Sequence, residues 1–160
     1  MTAARVIHVM AARGATLATA ESLTGGRLAA LATQTPGSSA VYVGGLVTYA
    51  TELKVRLLGV PEGLVEQRGV VSAECAAAMA EGARRVTGAT HAVATTGVAG
   101  PDEQEGKPAG TVYVAVAGPD GTQSAALTLS GSREEIQDET CRQALELLLD
   151  VMRREEPGVR

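Results

Sequence analysis

Hydrophobic periodicity divides the chain into short helices and strands. Ala3, Val6, Ile7, Met10 and Ala11 recur at helical spacing and stop at Gly14, which predicts a helix over 2–13. Residues 15–21 alternate weakly and suit a short buried strand. Gly25-Gly26 opens a second helix that ends near Gln34, before Pro36-Gly37. Val41 to Tyr49 is β-branched and apolar enough for a strand, with Gly44-Gly45 permitting close backbone approach. Two short helices are expected over about 51–58 and 61–67, with Pro61 in the first turn of the second. Ser72 is placed to cap a helix running to about Val86.

The strand expected over 89–96 leads into a loop from Gly97 to Pro108 that is dense in glycine, proline and acids. Strands over 111–117 and 122–129 flank Gly118-Pro119-Asp120-Gly121, a turn sequence with a clear hairpin mechanism. Ser132-x-x-Glu135 reads as a capping box, opening a helix striped by Ile136, Thr140, Ala144, Leu147, Leu148 and Val151. The tail from 155 to 160 is expected to fray. Five strands and about six helices, with no repeat and no linker, indicate one domain over 1–160. Strands separated by helices and followed by a hairpin make a mixed sheet with helices on both faces.

The 160 residues include 45 % apolar and 20 % charged positions, an ordinary globular composition. A net charge of −4 argues against partners bound by bulk electrostatics, so neither nucleic acid nor an anionic membrane is expected. Three tyrosines are the only aromatics, which removes base-stacking platforms. Cys75 and Cys141 lie outside any CxxC pattern, and His8 and His91 have no neighbours at ligand spacing. No metal and no cofactor is therefore expected. No run approaches the roughly 20 apolar residues of a membrane span, and a cytoplasmic location is expected.

Familiar catalytic motifs fail. Gly100 to Lys107 has the wrong spacing for a phosphate loop and carries Pro108 where Ser or Thr is required. There is no GxGxxG after the first strand, no GxSxG and no SxxK, and Tyr49 and Lys54 are five apart rather than four. What remains is small polar residues at strand ends. Ser22, at a strand-to-helix junction, fits either a helix N-cap or a nucleophile facing backbone N–H groups at a helix start. Lys54 is one of only two lysines against twelve arginines. It is either a solvated surface residue or a group whose ability to lose a proton matters, which guanidinium lacks. Thr96 to Asp102 is either a plain turn or a ligand loop at a strand's carboxyl end.

Six stretches together resemble the CinA C-terminal domain family, the nicotinamide mononucleotide (NMN) amidohydrolases. They are residues 19–26 (TAESLTGG), 45–54 (GLVTYATELK), 69–72 (GVVS), 96–102 (TGVAGPD), 107–113 (KPAGTVY) and 130–133 (SGSR), in order along nearly the whole chain. The resemblance implies a three-layer α/β/α sandwich with a five-stranded mixed β-sheet, in agreement with the independent tally. It also implies hydrolysis of NMN to nicotinate mononucleotide and ammonia without a metal or cofactor. Carried over by position, Ser22 is the nucleophile, Lys54 its base and Tyr49 a partner in their proton network. Thr24, Gly25, Gly26 and Gly45 then line the pocket through backbone groups, Thr96 and Gly97 contact the nucleotide, and Arg133 takes its phosphate.

Two positions depart from the family pattern. Ser132 stands where an acid is common and Gln137 where arginine is common, and weaker phosphate binding is the expectation. The chain is also expected to stand alone, without the molybdopterin-type domain that many relatives carry, and to form a homo-oligomer, with a dimer favoured. Two other readings remain: a nucleotide-binding regulatory module linked to competence or DNA damage, and an amidase for another small carboxamide.

Overall fold

The computed structural model describes residues 1–158. Six α-helices and five strands form one mixed sheet between two helical layers, the three-layer architecture expected from the sequence. The helices are α1 (Thr2–Ala12), α2 (Arg27–Gln34), α3 (Thr51–Leu58), α4 (Glu62–Arg68), α5 (Ala73–Thr87) and α6 (Arg133–Arg154). The strands are β1 (Leu17–Glu21), β2 (Tyr42–Val47), β3 (His91–Gly97), β4 (Thr111–Gly118) and β5 (Gly121–Thr128). Their order is β2-β1-β3-β4-β5. β1 runs parallel to both neighbours, and β3, β4 and β5 pair antiparallel.

Alternation along the strands gives the faces different chemistry. Leu17, Val93, Val112, Val114 and Val116 pack with Val6, Ile7 and Met10 of α1, Leu28 of α2 and the α6 stripe. The opposite face is alanine-rich. Ala18, Ala20, Ala92, Ala94, Ala115 and Ala117 meet Ala76, Met79, Ala80 and Ala83 of α5. Such small side chains let a helix approach the sheet closely, which suits a core with no Phe or Trp.

Both caps read from the sequence are formed. Ser72 Oγ accepts from the Cys75 amide at 3.1 Å, and Ser132 and Glu135 make the reciprocal capping box of α6. Pro61 sits at the N-cap of α4 rather than inside its first turn. The beginning of the expected frayed tail is pinned instead: Glu155 bonds His91 Nε2 at 2.9 Å and Glu156 pairs with Arg13. The last two residues of that tail lie outside the described residues.

From β1 the chain crosses to β2 on one side, then returns past β1 to β3 on the other, with α2 on one face and α5 on the other. Open sheets bind ligands outside the carboxyl ends of strands at such a reversal. The segments after β1, β2 and β3 converge there.

Candidate active site

At that reversal lies a cavity of about 370 Å³, lined by Ser22, Tyr49, Lys54, Thr96, Gly97 and Arg133 among others. Its floor is a serine–lysine pair. Lys54 is the fourth residue of α3, and helical side chains lean toward the N-terminus of their helix. The amine therefore folds back over the lead-in to α3. It lies 3.0 Å from Ser22 Oγ and donates to the main-chain oxygens of Thr48 at 2.6 Å and Tyr49 at 3.2 Å.

Only 1 % of Lys54 is exposed, and it has no carboxylate partner among the described residues. Burial lowers its pKa below the usual lysine value, with Cys75 and Glu105 pulling in the opposite direction. The Cys75 thiol is itself pushed up to about 11 by burial, so it is neutral near physiological pH and its pull is absent there. The amine also sits over the positive end of the α3 dipole, which disfavours its charged form further. In the neutral amine, the two carbonyls occupy both N–H groups and the lone pair is left facing Ser22 Oγ.

The two local readings of Ser22 are separated by its neighbour Glu21. This carboxylate, 1 % exposed, accepts from the amides of Gly26 at 3.2 Å, Leu28 at 2.8 Å and Ala29 at 3.1 Å, and from Thr24 Oγ1 at 2.6 Å. The N-terminus of α2 is thus capped by Glu21, and Ser22 is not the cap. The same fact closes that helix start to an oxyanion and commits the Glu21 carboxylate to the cap.

The other sequence-assigned positions divide. Thr96 and Gly97 line the cavity, although the Thr96 hydroxyl is used internally, donating to Val70 O at 2.7 Å. Arg133, first residue of α6, reaches over the cavity to Gly100 O and to the Tyr49 hydroxyl at 3.0 Å. Tyr49 meets Lys54 through its carbonyl alone; its phenol points to Arg133, and the residue is 60 % exposed.

Thr24, Gly25, Gly26 and Gly45 are not among the residues that line this cavity. Thr24 is buried between Glu21 and Thr95, and Gly25-Gly26 turn the chain with positive φ into the Glu21-capped helix. Gly45 faces Thr19 and Tyr42, where a Cβ would collide with both hydroxyls. Its requirement is close packing of β2 on β1.

Gln137, one of the departures, donates to Leu23 O at 2.9 Å and so braces the Ser22 turn; Ser132, the other, is the α6 cap. Sequence reasoning missed the roles of Glu21, Gln137, Val70 and Val71. A buried acid just ahead of a Gly-Gly helix start was the one available signal, since carboxylates favour helix N-termini. Among the described residues no group of three or more His, Cys, Asp or Glu is placed to hold a metal ion, and no helix is long and apolar enough to cross a membrane.

The family model described as the CinA C-terminal domain matches residues 1–152. The chain belongs to the CinA C-terminal domain family. A CinA-like protein of Frankia casuarinae is 51 % identical over 143 residues, covering 89 % of this chain and 33 % of that protein. A CinA-like protein of Geobacter sulfurreducens is 48 % identical, covering 89 % of this chain and 35 % of that protein. The chain thus spans about a third of the length of these curated relatives. Among solved structures, the competence damage-inducible protein A (ComA) of Klebsiella pneumoniae superposes with a TM-score of 0.94 at 34 % identity, covering 97 % of both chains. The competence/damage inducible protein CihA of Agrobacterium tumefaciens gives 0.90 at 38 % identity, covering 94 % of this chain and 93 % of that one. In this CinA C-terminal domain the fold and the sheet order are those of a mixed α/β sandwich, and the serine–lysine pair sits at its topological switch point.

Proposed function

We propose that this domain hydrolyses the carboxamide of nicotinamide mononucleotide, giving nicotinate mononucleotide and ammonia. The observation that carries the reading is the approach of Lys54 Nζ to Ser22 Oγ, 3.0 Å apart, in a desolvated site where the amine's other partners are neutral carbonyls. A lysine buried without a carboxylate costs stability, and a pure binding module gains nothing from it. A general base at this position has a use, because it takes the Ser22 proton as Oγ attacks the amide carbon.

The same proton is then delivered to the departing nitrogen, so ammonia leaves neutral and an acyl-serine remains. Water, deprotonated by the freed amine, attacks that ester and returns Ser22. Because Glu21 occupies the start of α2, the tetrahedral oxyanion falls to amides of the Ser22 turn itself, where Leu23 lines the cavity. Arg133 pairs with no carboxylate among the described residues, which leaves its charge available to the phosphate. The volume of about 370 Å³ falls in the range of roughly 300–1,000 Å³ typical of small-molecule sites. Such an activity belongs to pyridine-nucleotide salvage in the cytoplasm.

The test is ammonia release from NMN, nicotinamide riboside and nicotinamide by the purified chain. Turnover of NMN well above the other two is expected. Release from none of them, with NMN still bound, would favour the regulatory module; equal release from all three would favour a general carboxamidase.

A further inference from the structure

Outside the serine–lysine pair, polar contacts converge on one short segment, the main chain of Val70 and Val71 between α4 and α5. Both residues are buried and both line the cavity. Glu105, in the loop between β3 and β4, spans them with its carboxylate: Oε2 accepts from the Val70 amide at 3.1 Å and Oε1 from the Val71 amide at 2.7 Å. Lys107 donates to Val71 O, and Thr96 donates to Val70 O at 2.7 Å. All four hydrogen-bonding groups of the two residues' main chain are thereby held by side chains.

The loop is shaped for this grip. Gln104 and Lys107 bridge each other's backbone, and Glu105 between them is the one non-glycine residue with positive φ among the described residues, at 55°. A bulky side chain in that backbone region is uncommon and is kept where surrounding contacts over-determine it. On the other side, Gly69 is required because a Cβ there would overlap the Glu105 carboxylate.

We propose that Glu105 is a positioning residue: with Lys107 it clips the Val70–Val71 main chain in place as one wall of the cavity, so that substrate is held against Ser22. The consequence for the chemistry rests on the amidase reading above; the clip itself does not. Glu105 also acts on the base through space. The groups bearing on Lys54 are Ser22 Oγ, the Thr48 and Tyr49 carbonyls, Cys75 from α5 and Glu105 from this loop; burial pushes the Cys75 thiol up to about 11, which leaves Glu105 as the acid that raises the Lys54 pKa.

Amide hydrogen exchange tests the clip without reference to any substrate. In Glu105→Ala, exchange at Val70 and Val71 should quicken roughly 10- to 100-fold, the worth of a hydrogen bond to a charged acceptor, while the core of α6 keeps its protection. Glu105→Gln should fall between it and the parent. If Glu105→Ala fails to fold, Lys107→Met, which frees only the Val71 carbonyl, should still loosen these two amides ahead of the rest. Protection at 70–71 within about twofold of the parent, or loosening spread evenly over the domain, would overturn the proposal.

The kinetic arm uses the same proteins with NMN. Glu105→Gln should lower kcat/KM about tenfold or more and move the acid limb of its pH profile to lower pH, because a negative charge that holds the proton on Lys54 is gone. A purely structural role would leave that limb where it is, and an unmoved limb counts against the proposal. If the parent releases no ammonia but the exchange pattern appears, the clip stands and the amidase assignment falls.

Discussion

Replacing Lys54 by methionine keeps the length of the side chain and removes the amine, which separates the chemistry of the base from its cost to the fold. A positioned general base contributes about 10²–10⁴ in rate, so kcat/KM for NMN should fall by that factor, about 3–5 kcal/mol of transition-state stabilisation. The stability of the variant carries the sharper information. In the folded chain burial lowers the pKa of Lys54, whereas the unfolded chain titrates at the ordinary value of 10.5. Between the lowered value and 10.5 the unfolded state binds more protons, so the parent gains stability as pH rises through that window.

The Lys54 contribution is thus fully present above 10.5 and lost as pH falls through the folded pKa, at about 1.4 kcal/mol for each unit of depression. The variant lacks this group, and subtracting its unfolding free energy from that of the parent cancels the titrations that Lys54 does not influence; Cys75, whose thiol Lys54 pulls down, stays at about 11 and enters only at the alkaline end of the window. Near pH 7 the variant gives up donors to the buried Thr48 carbonyl, at about 1–3 kcal/mol, and to the part-buried Tyr49 carbonyl, at less, but no longer desolvates an ammonium, so the net change is small. Urea melts of both proteins from about pH 7 to 10.5 should show the difference shifting steadily in favour of the parent. A flat difference would mean that Lys54 keeps its ordinary pKa and that the base argument is wrong. A methionine variant with parental turnover would refute it from the other side.

Three further outcomes follow from the same geometry. Ser22→Ala should reduce ammonia release to background while leaving unfolding free energy within about 1 kcal/mol of the parent, because the α2 cap is Glu21; a stability loss of about 2 kcal/mol with retained activity would return Ser22 to a capping role. Glu21→Ala strips the acceptor from three amides and from Thr24 and should destabilise by about 3 kcal/mol or more, read as a fall in Tm; a change under about 1 kcal/mol would show that water replaces it. Arg133→Ala should raise KM for NMN much more than it alters turnover of nicotinamide riboside, which lacks the phosphate, whereas equal losses on both would assign Arg133 to holding Gly100 and Tyr49.

The periodicity of the chain and its turn chemistry were sufficient for the elements. Five strands, six helices, the Ser72 cap and the Ser132–Glu135 capping box all depend on neighbours within a few residues, and local sequence specifies such features directly. The shortage of lysine against arginine also singled out Lys54 before any contact was visible.

What the sequence left open was which neighbour each polar side chain meets across the fold. Ser22 had two locally equivalent readings, and the capping one was taken by Glu21, whose carboxylate reaches up to eight residues ahead to cap α2. Tyr49 and Lys54 are neighbours in sequence, yet the tyrosine serves the amine by its carbonyl and turns its phenol to Arg133, 84 residues away. Gly45 carried a family signature but answers to Thr19 and Tyr42 on the sheet. Glu105 and Lys107 lie in a loop that the sequence marked only as dense in glycine, proline and acids, and the fold set the Val70–Val71 backbone against them, 34 to 36 residues earlier in the chain. Elements follow from short-range pattern. The site is made where the strand order reverses and distant segments are brought within hydrogen-bonding distance, so its geometry belongs to the tertiary structure alone.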